Sequence, residues 1–295
     1  MKLVFVQIPY FGRFAKEILR LDNAAASGSF KINRFPNKEL KIELQTDVKG
    51  KDCLIIGTIS PPETQLINLL LLADALNYNQ AKSIKLFAPY LAYSRQDKQK
   101  VGSGRGTALL GRLLKASGIE EAWTVDVHSE LDIKQFPIEL RSLSPARLIA
   151  KQVPELVSAR VSIIAPDVGA IKRAELVSEA LGSKLPVCYM HKVRRDGVEH
   201  IGLVGKTGER AIIIDDILDT GSTLLSCVRF LREAGVRYIT AVVSHGVFTD
   251  NNWKKLFEEG IKKIYVTDSC PSAINLAEPR IKVISLKPML SMLPQ

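Results

Sequence analysis

Apolar residues follow two patterns that alternate along most of the chain. Runs of consecutive apolar residues, such as CLIIG at 53–57 and AIIID at 211–215, are each followed by a loop and then by apolar residues at helical spacing. A continuous apolar run is typical of a parallel strand that helices cover on both faces. The repeated order of strand, helix and strand therefore predicts an α/β fold with mainly parallel sheets flanked by helices.

The same patterns locate the individual elements. The predicted strands include residues 2–8, 52–59, 83–89, 122–128, 161–167, 211–218, 238–246 and 263–267. The predicted helices include residues 63–78, 107–117, 170–181, 222–234 and 252–259. Residues 30–45 differ, because SFKINRF and ELKIELQ alternate apolar and polar residues around PNK. This alternation predicts an antiparallel hairpin appended to the first sheet.

An internal repeat predicts two related domains. Residues 53–90 resemble residues 211–247, and both segments have the pattern of a strand, a loop, a long helix, a turn and a strand. Two domains also suit a chain of 295 residues. We expect one domain over 1–141, including the hairpin, and one over 142–280, with the tail 281–295 as a further candidate part of the first. The first copy has GTISPPET where the second has DDILDTGST, so the chemistry is expected in the second domain.

The segment 211–223 predicts a site for a phosphorylated ligand. Asp215 and Asp216 end an apolar strand, and a short loop around Gly221 then opens a helix. Ligands of open α/β sheets bind beyond the carboxyl ends of strands, and a helix N-terminus favours a phosphate. Glycine allows the backbone to approach the ligand closely. Carboxylates would repel the phosphate, so the two acids are expected to bind hydroxyl groups of the ligand.

Net charge leaves two classes of partner open. The chain carries a formal charge of +10, which suits either a nucleic-acid binder or an enzyme for small polyanions. Lys and Arg are scattered, with no basic run interleaved with aromatic residues and no zinc-finger or RNA-recognition pattern. With the phosphate motif, this distribution predicts small-molecule substrates and no nucleic-acid partner.

The sequence also predicts a cytoplasmic protein. The first ten residues suit a strand better than a signal peptide, and the apolar helix at 66–76 is well short of the ~20 residues that cross a bilayer. We therefore expect no membrane association. The four cysteines form no CxxC pair, which predicts buried thiols in a reducing compartment. They are Cys53, Cys188, Cys227 and Cys270.

The string DDILDTGST resembles the PRPP-binding signature of type I phosphoribosyltransferases and of phosphoribosyl pyrophosphate (PRPP) synthetases. Further stretches resemble PRPP synthetase segments in the family's order and over essentially the whole chain. They are RFPNKE at 34–39, APYLAYSRQDKQ at 88–99, TVDVHS at 124–129, APDVGAIKRAELVSEALG at 165–182, HKVRR at 191–195 and SHGVF at 244–248. The chain is thus similar to the ribose-phosphate pyrophosphokinase (PRPP synthetase) family.

The resemblance implies two tandem type I phosphoribosyltransferase-like domains. The implied reaction moves the pyrophosphoryl group of ATP to the C1 hydroxyl of ribose 5-phosphate, giving PRPP and AMP, with Mg²⁺ as cofactor. Lys192 is the implied catalytic lysine and Arg194 its partner, on a glycine-containing segment expected to close over ATP as a lid. The alternative for this segment is an ordinary basic hairpin. His128 and Asp167 are the implied metal ligands.

The resemblance also assigns the substrate contacts. The implied ATP-binding residues are Phe35, Asn37, Lys38, Glu39, Arg95, Gln96 and Asp97, in the first domain. The implied ribose 5-phosphate-binding residues are Arg194, Asp215, Asp216, Asp219, Thr220, Gly221, Ser222 and Thr223, in the second. The family places the hairpin against a neighbouring subunit's site, which implies a homo-oligomer, from a dimer up to a hexamer.

Two departures and two alternatives qualify the resemblance. Asn37 and Lys38 replace an Asp-Gly pair of the family, a change expected to affect nucleotide choice or affinity. The chain lacks the family's longer C-terminal helix, which puts regulation by ADP and phosphate in doubt. One alternative is a non-catalytic PRPP-synthetase-associated regulatory subunit, and the other is a phosphoribosyltransferase that uses PRPP. The presence of Lys192, Arg194 and Asp215 favours an active synthetase.

Overall fold

The computed structural model describes residues 2–95, 102–129, 133–134, 136–157, 161–182, 185–195 and 198–294, with only the backbone described at 192–195 and 198–201. The chain forms two compact units. The first comprises Met1–Leu143 together with Lys287–Gln295, and the second comprises Ser144–Leu286.

The first unit is built on a parallel sheet. Its elements in chain order are β1 (Lys2–Val6), α1 (Gly12–Leu21), β2 (Ala25–Ser27), β3 (Phe30–Arg34), β4 (Leu40–Leu44), β5 (Asp52–Ile56), α2 (Thr64–Tyr78), β6 (Ser83–Phe87), α3 (Gly106–Ala116), β7 (Glu121–Val125) and β8 (Glu139–Leu143). Six strands form one sheet in the order β2-β1-β5-β6-β7-β8, and their pairings are parallel. Cys53 to Ile56 of β5 are buried, as a strand covered on both faces requires.

The predicted hairpin at 30–45 is present as β3 and β4, which pair antiparallel with Phe30 opposite Leu44. These two strands form a sheet of their own, so the expectation that they extend the first sheet was wrong. Strand β4 instead packs against helix α2.

The second unit has a larger sheet. Its elements are α4 (Ala146–Gln152), β9 (Val161–Ala165), α5 (Ile171–Ala180), β10 (Val187–Arg195), β11 (Val198–Val204), β12 (Arg210–Leu218), α6 (Ser222–Glu233), β13 (Tyr238–Gly246), α7 (Lys255–Glu258), β14 (Ile261–Thr267), α8 (Pro271–Ile274) and β15 (Ile281–Ile284). The strand order is β11-β10-β9-β12-β13-β14-β15. Neighbouring strands are parallel, apart from the antiparallel pair β10 and β11.

The two sheets repeat one topology. Strands β1, β5, β6, β7 and β8 have the same order as β9, β12, β13, β14 and β15, with β2 and β10 on the other side of the first strand. The predicted duplication is therefore confirmed. In each sheet the first strand is followed along the chain by a strand on one side of it and then by strands on its other side. The point at which the direction changes is the topological switch point. A crevice lies there at the carboxyl ends of the strands, between β1 and β5 and between β9 and β12.

Two further expectations can be compared with the structure. All four cysteines are free and buried, as predicted. Burial raises the pKa of Cys227 to about 12, so this thiol stays protonated at neutral pH. None of the helices in the described ranges is long and apolar enough to span a membrane.

Candidate active site

Two adjacent carboxylates lie at the crevice of the second unit. Strands β9 and β12 pair only as far as Ile164 and Ile213, while β12 continues beside β13. Asp215 and Asp216 occupy the part of β12 beyond this pairing and are 7% and 6% exposed. The Asp215 carboxylate accepts a hydrogen bond from the Asp216 amide at 2.9 Å. The two predicted acids are therefore held at the topological switch point.

Burial sets the charge state of this pair. Loss of hydration raises the pKa of Asp215 well above its usual 3.8, and the negative charge of Asp216 raises it further. The Arg173 guanidinium of α5 opposes this shift and lies 3.7 Å from a carboxylate oxygen of Asp216. Two carboxylates beside one guanidinium favour a ligand that brings hydroxyl donors or positive charge.

The phosphate loop, residues 218–223, follows this pair and opens helix α6. Gly221 is the N-cap residue of the helix, with φ of 86°, and a glycine has no side chain of its own to bond the first amides of α6. A Cβ atom at Gly221 would lie 3.2 Å from Cα of Trp253, so both conformation and space favour glycine. The amides at the start of a twelve-residue helix suit a phosphate group. The neighbouring Thr220, Ser222 and Thr223 side chains are exposed.

Asp167 lies across the same crevice, two residues after β9. Its carboxylate accepts a hydrogen bond from the Ala170 amide at 3.1 Å, and the residue is exposed. Its negative charge is also among the causes that raise the pKa of Asp215. The structure therefore brings Asp167, Asp215 and Asp216 into one electrostatic environment.

In the first unit, two of the predicted residues lie in loops at the carboxyl edge of the sheet. His128 follows β7 and Arg95 follows β6, and both are exposed. The loop after β6 is tied to β7, since the Val125 amide donates to the Pro89 carbonyl at 3.1 Å, and the loop after β7 is tied to β8, since the Asp126 amide donates to the Leu143 carbonyl at 3.0 Å. Gln96 and Asp97 lie outside the described residues. Within the described ranges no three His, Cys, Asp or Glu side chains are grouped to hold a metal ion.

The hairpin tip keeps the backbone shape that a glycine would give. Lys38 has φ of 71°, in the left-handed region that favours glycine, which is the residue of the family at this position. The Asn37 side-chain oxygen accepts the Glu39 amide at 3.2 Å, and the Arg34 guanidinium donates to the Lys38 carbonyl at 2.7 Å. Phe35 is 49% exposed and available for stacking.

The predicted lid forms a two-stranded arm. Only residues Val187 to Tyr189 of β10 pair with β9, whereas β10 pairs with β11 from Tyr189 to Arg195. Lys192 lies opposite Ile201, and Arg194 lies opposite Glu199. The segment is a hairpin. This shape suits both a catalytic lid and an ordinary basic hairpin, so the closure over ATP stays a prediction.

The corresponding crevice of the first unit is closed. Gln7 follows β1 and is 4% exposed; its side-chain oxygen accepts the Thr58 amide at 2.7 Å, and its nitrogen donates to the Gln65 carbonyl at 2.5 Å. A Cβ atom at Gly57 would lie 2.4 Å from the Gln7 oxygen. Gln7 therefore bridges the loop after β5 and helix α2 at the end of β1, and the expectation that the chemistry belongs to the second copy stays a prediction.

Three contributors were missed by sequence reasoning. Arg173 lies inside the segment 165–182 and was not singled out, although its place six residues after Asp167 offered a signal. The hydrogen bond from Thr249 to Asp219 joins positions 30 residues apart. Gln7 carries no motif, and nothing in the sequence pointed to it.

Comparisons with known proteins match this arrangement in both halves of the chain. A family model described as the N-terminal domain of ribose phosphate pyrophosphokinase matches residues 7–118. A second model, described as the phosphoribosyl synthetase-associated domain, matches residues 173–292.

Individual relatives agree with the family models. A ribose-phosphate pyrophosphokinase from Thermosipho africanus is 34% identical over 264 residues, covering 88% of this chain and 83% of the relative. The protein of the same name from Thermotoga maritima is 29% identical over 265 residues, with 88% and 84% covered. The crystal structure of phosphoribosylpyrophosphate synthetase from Mycobacterium smegmatis matches with a TM-score of 0.87 and 26% identity, covering 99% of this chain and 96% of that chain. The predicted fold class is confirmed, and the chain belongs to the ribose-phosphate pyrophosphokinase family.

Proposed function

We propose that this protein transfers the pyrophosphoryl group of ATP to the C1 hydroxyl of ribose 5-phosphate, giving PRPP and AMP. The observation that carries the proposal is the pair of buried acids, Asp215 and Asp216, beside a helix N-terminus that begins at Gly221, at the switch point of the second sheet. This pairing of acids with an anion site matches a sugar phosphate, because one end of that ligand donates hydrogen bonds and the other is an anion.

The second unit holds the acceptor sugar in this mechanism. The amides and hydroxyl groups of the phosphate loop bind the 5-phosphate, and Asp215 and Asp216 accept hydrogen bonds from ribose hydroxyls. The loop and the acids belong to one strand–loop–helix unit, so the sugar is oriented by rigid elements. Orientation is a large part of catalysis here, since phosphoryl-type transfer depends mostly on positioning and charge neutralisation.

The first unit and the arm act on the nucleotide. Phe35 stacks on the base, the hairpin tip at 37–39 contacts it, and Arg95, Gln96 and Asp97 bind ATP. Lys192 and Arg194 bind the transferring phosphates and stabilise the charge that develops during transfer. Arg194 also contacts the sugar phosphate.

Magnesium fits the residues proposed to hold it. Asp167 offers an exposed carboxylate, the ligand type that Mg²⁺ prefers. The exposed imidazole of His128 is a less usual ligand for Mg²⁺, and its role rests on the resemblance to the family. Few protein ligands suffice, because Mg²⁺ keeps waters and binds substrate phosphates directly. When bound, the ion neutralises charge on the ATP phosphates.

Product formation tests the proposal. Purified protein is mixed with Mg²⁺, ATP and ribose 5-phosphate, and AMP and PRPP are separated by anion-exchange chromatography. We expect equal amounts of both products, and reactions that lack ribose 5-phosphate or Mg²⁺ serve as controls. Folded protein that yields no AMP would overturn the proposal. The protein would then be a regulatory subunit if it changes the activity of a partner synthetase, or a phosphoribosyltransferase if it consumes PRPP.

A further inference from the structure

The turn that carries His128 is fixed to the neighbouring strand β8. This histidine turn, residues 126–128, begins where β7 ends. The two strands pair in parallel over the whole length of both. The Asp126 amide then donates to the Leu143 carbonyl, the last of β8, at 3.0 Å. The first residue of the turn is therefore held by the backbone of the sheet.

The next amide of the turn is held by a side chain. Asp126 has φ of 44°, in the left-handed region that residues other than glycine uncommonly adopt. Strand pairing has ended at this point, and the Val127 amide donates to the Ser142 hydroxyl at 3.0 Å. Ser142 belongs to β8, so its hydroxyl ties the turn to the sheet beyond the last backbone hydrogen bond of the strand pair.

This contact bears on the shape of the turn. A left-handed backbone conformation at a residue other than glycine persists only where surrounding contacts hold it. The hydroxyl of Ser142 supplies one such contact, to the peptide that directly follows Asp126. Both anchored amides lie between the end of β7 and His128, so they fix the backbone from which the exposed imidazole projects.

We infer that Ser142 is a positioning residue for His128, because its hydroxyl holds the histidine turn in the shape that metal binding by the imidazole requires. The inference rests on the proposed function, in which His128 is a ligand of Mg²⁺. This ion demands near-ideal ligand geometry, and groups that orient a ligand influence metal affinity strongly. Ser142 acts through the backbone at Val127 and not by contact with the metal or the substrates.

Direct measurement of metal binding tests the role. Mn²⁺ serves as the probe, with α,β-methylene-ATP present, and electron paramagnetic resonance measures the free ion. Ser142→Val removes the hydroxyl and Ser142→Thr keeps it in a side chain of the same shape. Ser162→Ala is the matched control, since its hydroxyl also accepts a backbone amide, from Gly208 at 3.2 Å, but at the start of β9 in the second unit. We expect Ser142→Val to raise the Kd of Mn²⁺ about tenfold, and the other two variants to change it by less than about twofold.

A double variant shows whether the hydroxyl acts through the imidazole. His128→Ala should itself weaken Mn²⁺ binding, and Ser142→Val should then cause no further loss. Losses that add in the double variant, or a threonine variant as impaired as the valine variant, overturn the inference by indicating a general defect of the region. Ser142→Ala replaces the valine variant if circular dichroism shows that the latter does not fold.

The remaining outcomes separate this inference from the proposed function. If His128→Ala weakens Mn²⁺ binding and Ser142→Val does not, only the role of Ser142 is wrong. If His128→Ala keeps the affinity for Mn²⁺, the assignment of His128 as a ligand and the inference are both wrong. The proposed reaction fails separately, when the unaltered protein forms no PRPP from ATP and ribose 5-phosphate.

Discussion

At the scale of single residues, the ionised carboxylate of Asp215 destabilises the folded protein, and the same carboxylate is proposed to bind the ribose hydroxyls. Its carboxylate is buried beside a second one, so the folded protein holds the proton of Asp215 more tightly than the unfolded chain does. The protonated carboxyl therefore makes its full contribution to the free energy of unfolding below the unfolded pKa of about 4. This contribution is lost as the pH rises through the raised pKa of the folded state. A bound ligand that supplies hydroxyl donors offsets that loss.

Asp215→Asn should therefore stabilise the empty protein at alkaline pH. We expect an increase in the free energy of unfolding on the order of 1 kcal/mol at pH 8, which shrinks towards pH 4 because the native carboxyl is then protonated. Thermal melts at both pH values measure the effect, with exposed Asp74→Asn as the control. The same variant should bind ribose 5-phosphate more weakly. If the increase in the free energy of unfolding is equal at both pH values, titration of Asp215 is not its cause.

Lys192 is expected to act on the transferring phosphates alone. Lys192→Ala should lower kcat about 100-fold or more, as expected when a charge that stabilises the transition state is removed. Binding of ribose 5-phosphate, measured by calorimetry, should change little. Lys282→Ala, at an exposed position of β15, is the control. Equal losses of turnover and sugar binding would disprove the assigned role.

At the scale of elements, a comparison of Gly221 with Gly235 distinguishes the effect of backbone strain from the effect of the shape of the site. Both have positive φ, 86° and 88°, but a Cβ atom would meet Trp253 at Gly221 and open space at Gly235. Alanine at either position should cost about 1 kcal/mol of stability. Only Gly221→Ala should also raise KM for ribose 5-phosphate, and a similar rise in Gly235→Ala would show that the phosphate loop has no special geometric demand.

The tip of the hairpin should set the choice of nucleotide. Asn37 uses its side-chain oxygen on the Glu39 amide, which leaves its NH₂ group to donate. An aspartate there can only accept, so Asn37→Asp should change the ratio of kcat/KM values for ATP and GTP. Asn79→Asp, at another exposed amide just after α2, is the control. Unchanged ratios would indicate that this tip does not touch the base.

Elements with a strong apolar signal were predictable from sequence, and weak ones were not. Strands β5 and β12 have unbroken apolar runs, and their helices α2 and α6 follow at close to the predicted bounds. Strands β8 and β15 lie at sheet edges and carry polar residues, so their sequences resemble loops. Helix α1 was missed as well, although its apolar residues face the core.

The same division holds for the site. The acids and the phosphate loop are contiguous in sequence, so a single sequence motif predicted them. The contacts of Arg173, Gln7 and Thr249 depend on strand order and on turns that bring distant positions together. Only the folded chain shows them.

At the scale of the whole molecule, the hairpin is proposed to complete the site of a neighbouring subunit. A mixture of two inactive variants tests this arrangement. Phe35→Ala damages the hairpin and Lys192→Ala damages the arm, so a mixed oligomer contains some sites in which both parts are intact. We expect the mixture to regain activity after dissociation and reassembly. A mixture that stays inactive although light scattering shows a mixed oligomer would place the hairpin in the site of its own subunit.

The side chain of Gln7 bears on how the duplicated fold is used. Each half of the chain has a crevice at the switch point of its sheet, but in the first half the Gln7 amide lies there and hydrogen-bonds on both sides. We therefore expect each polypeptide to bind one equivalent of ribose 5-phosphate, in the second half. The loops around Gln7 are then available for the other substrate, because the proposed function assigns ATP to the first unit.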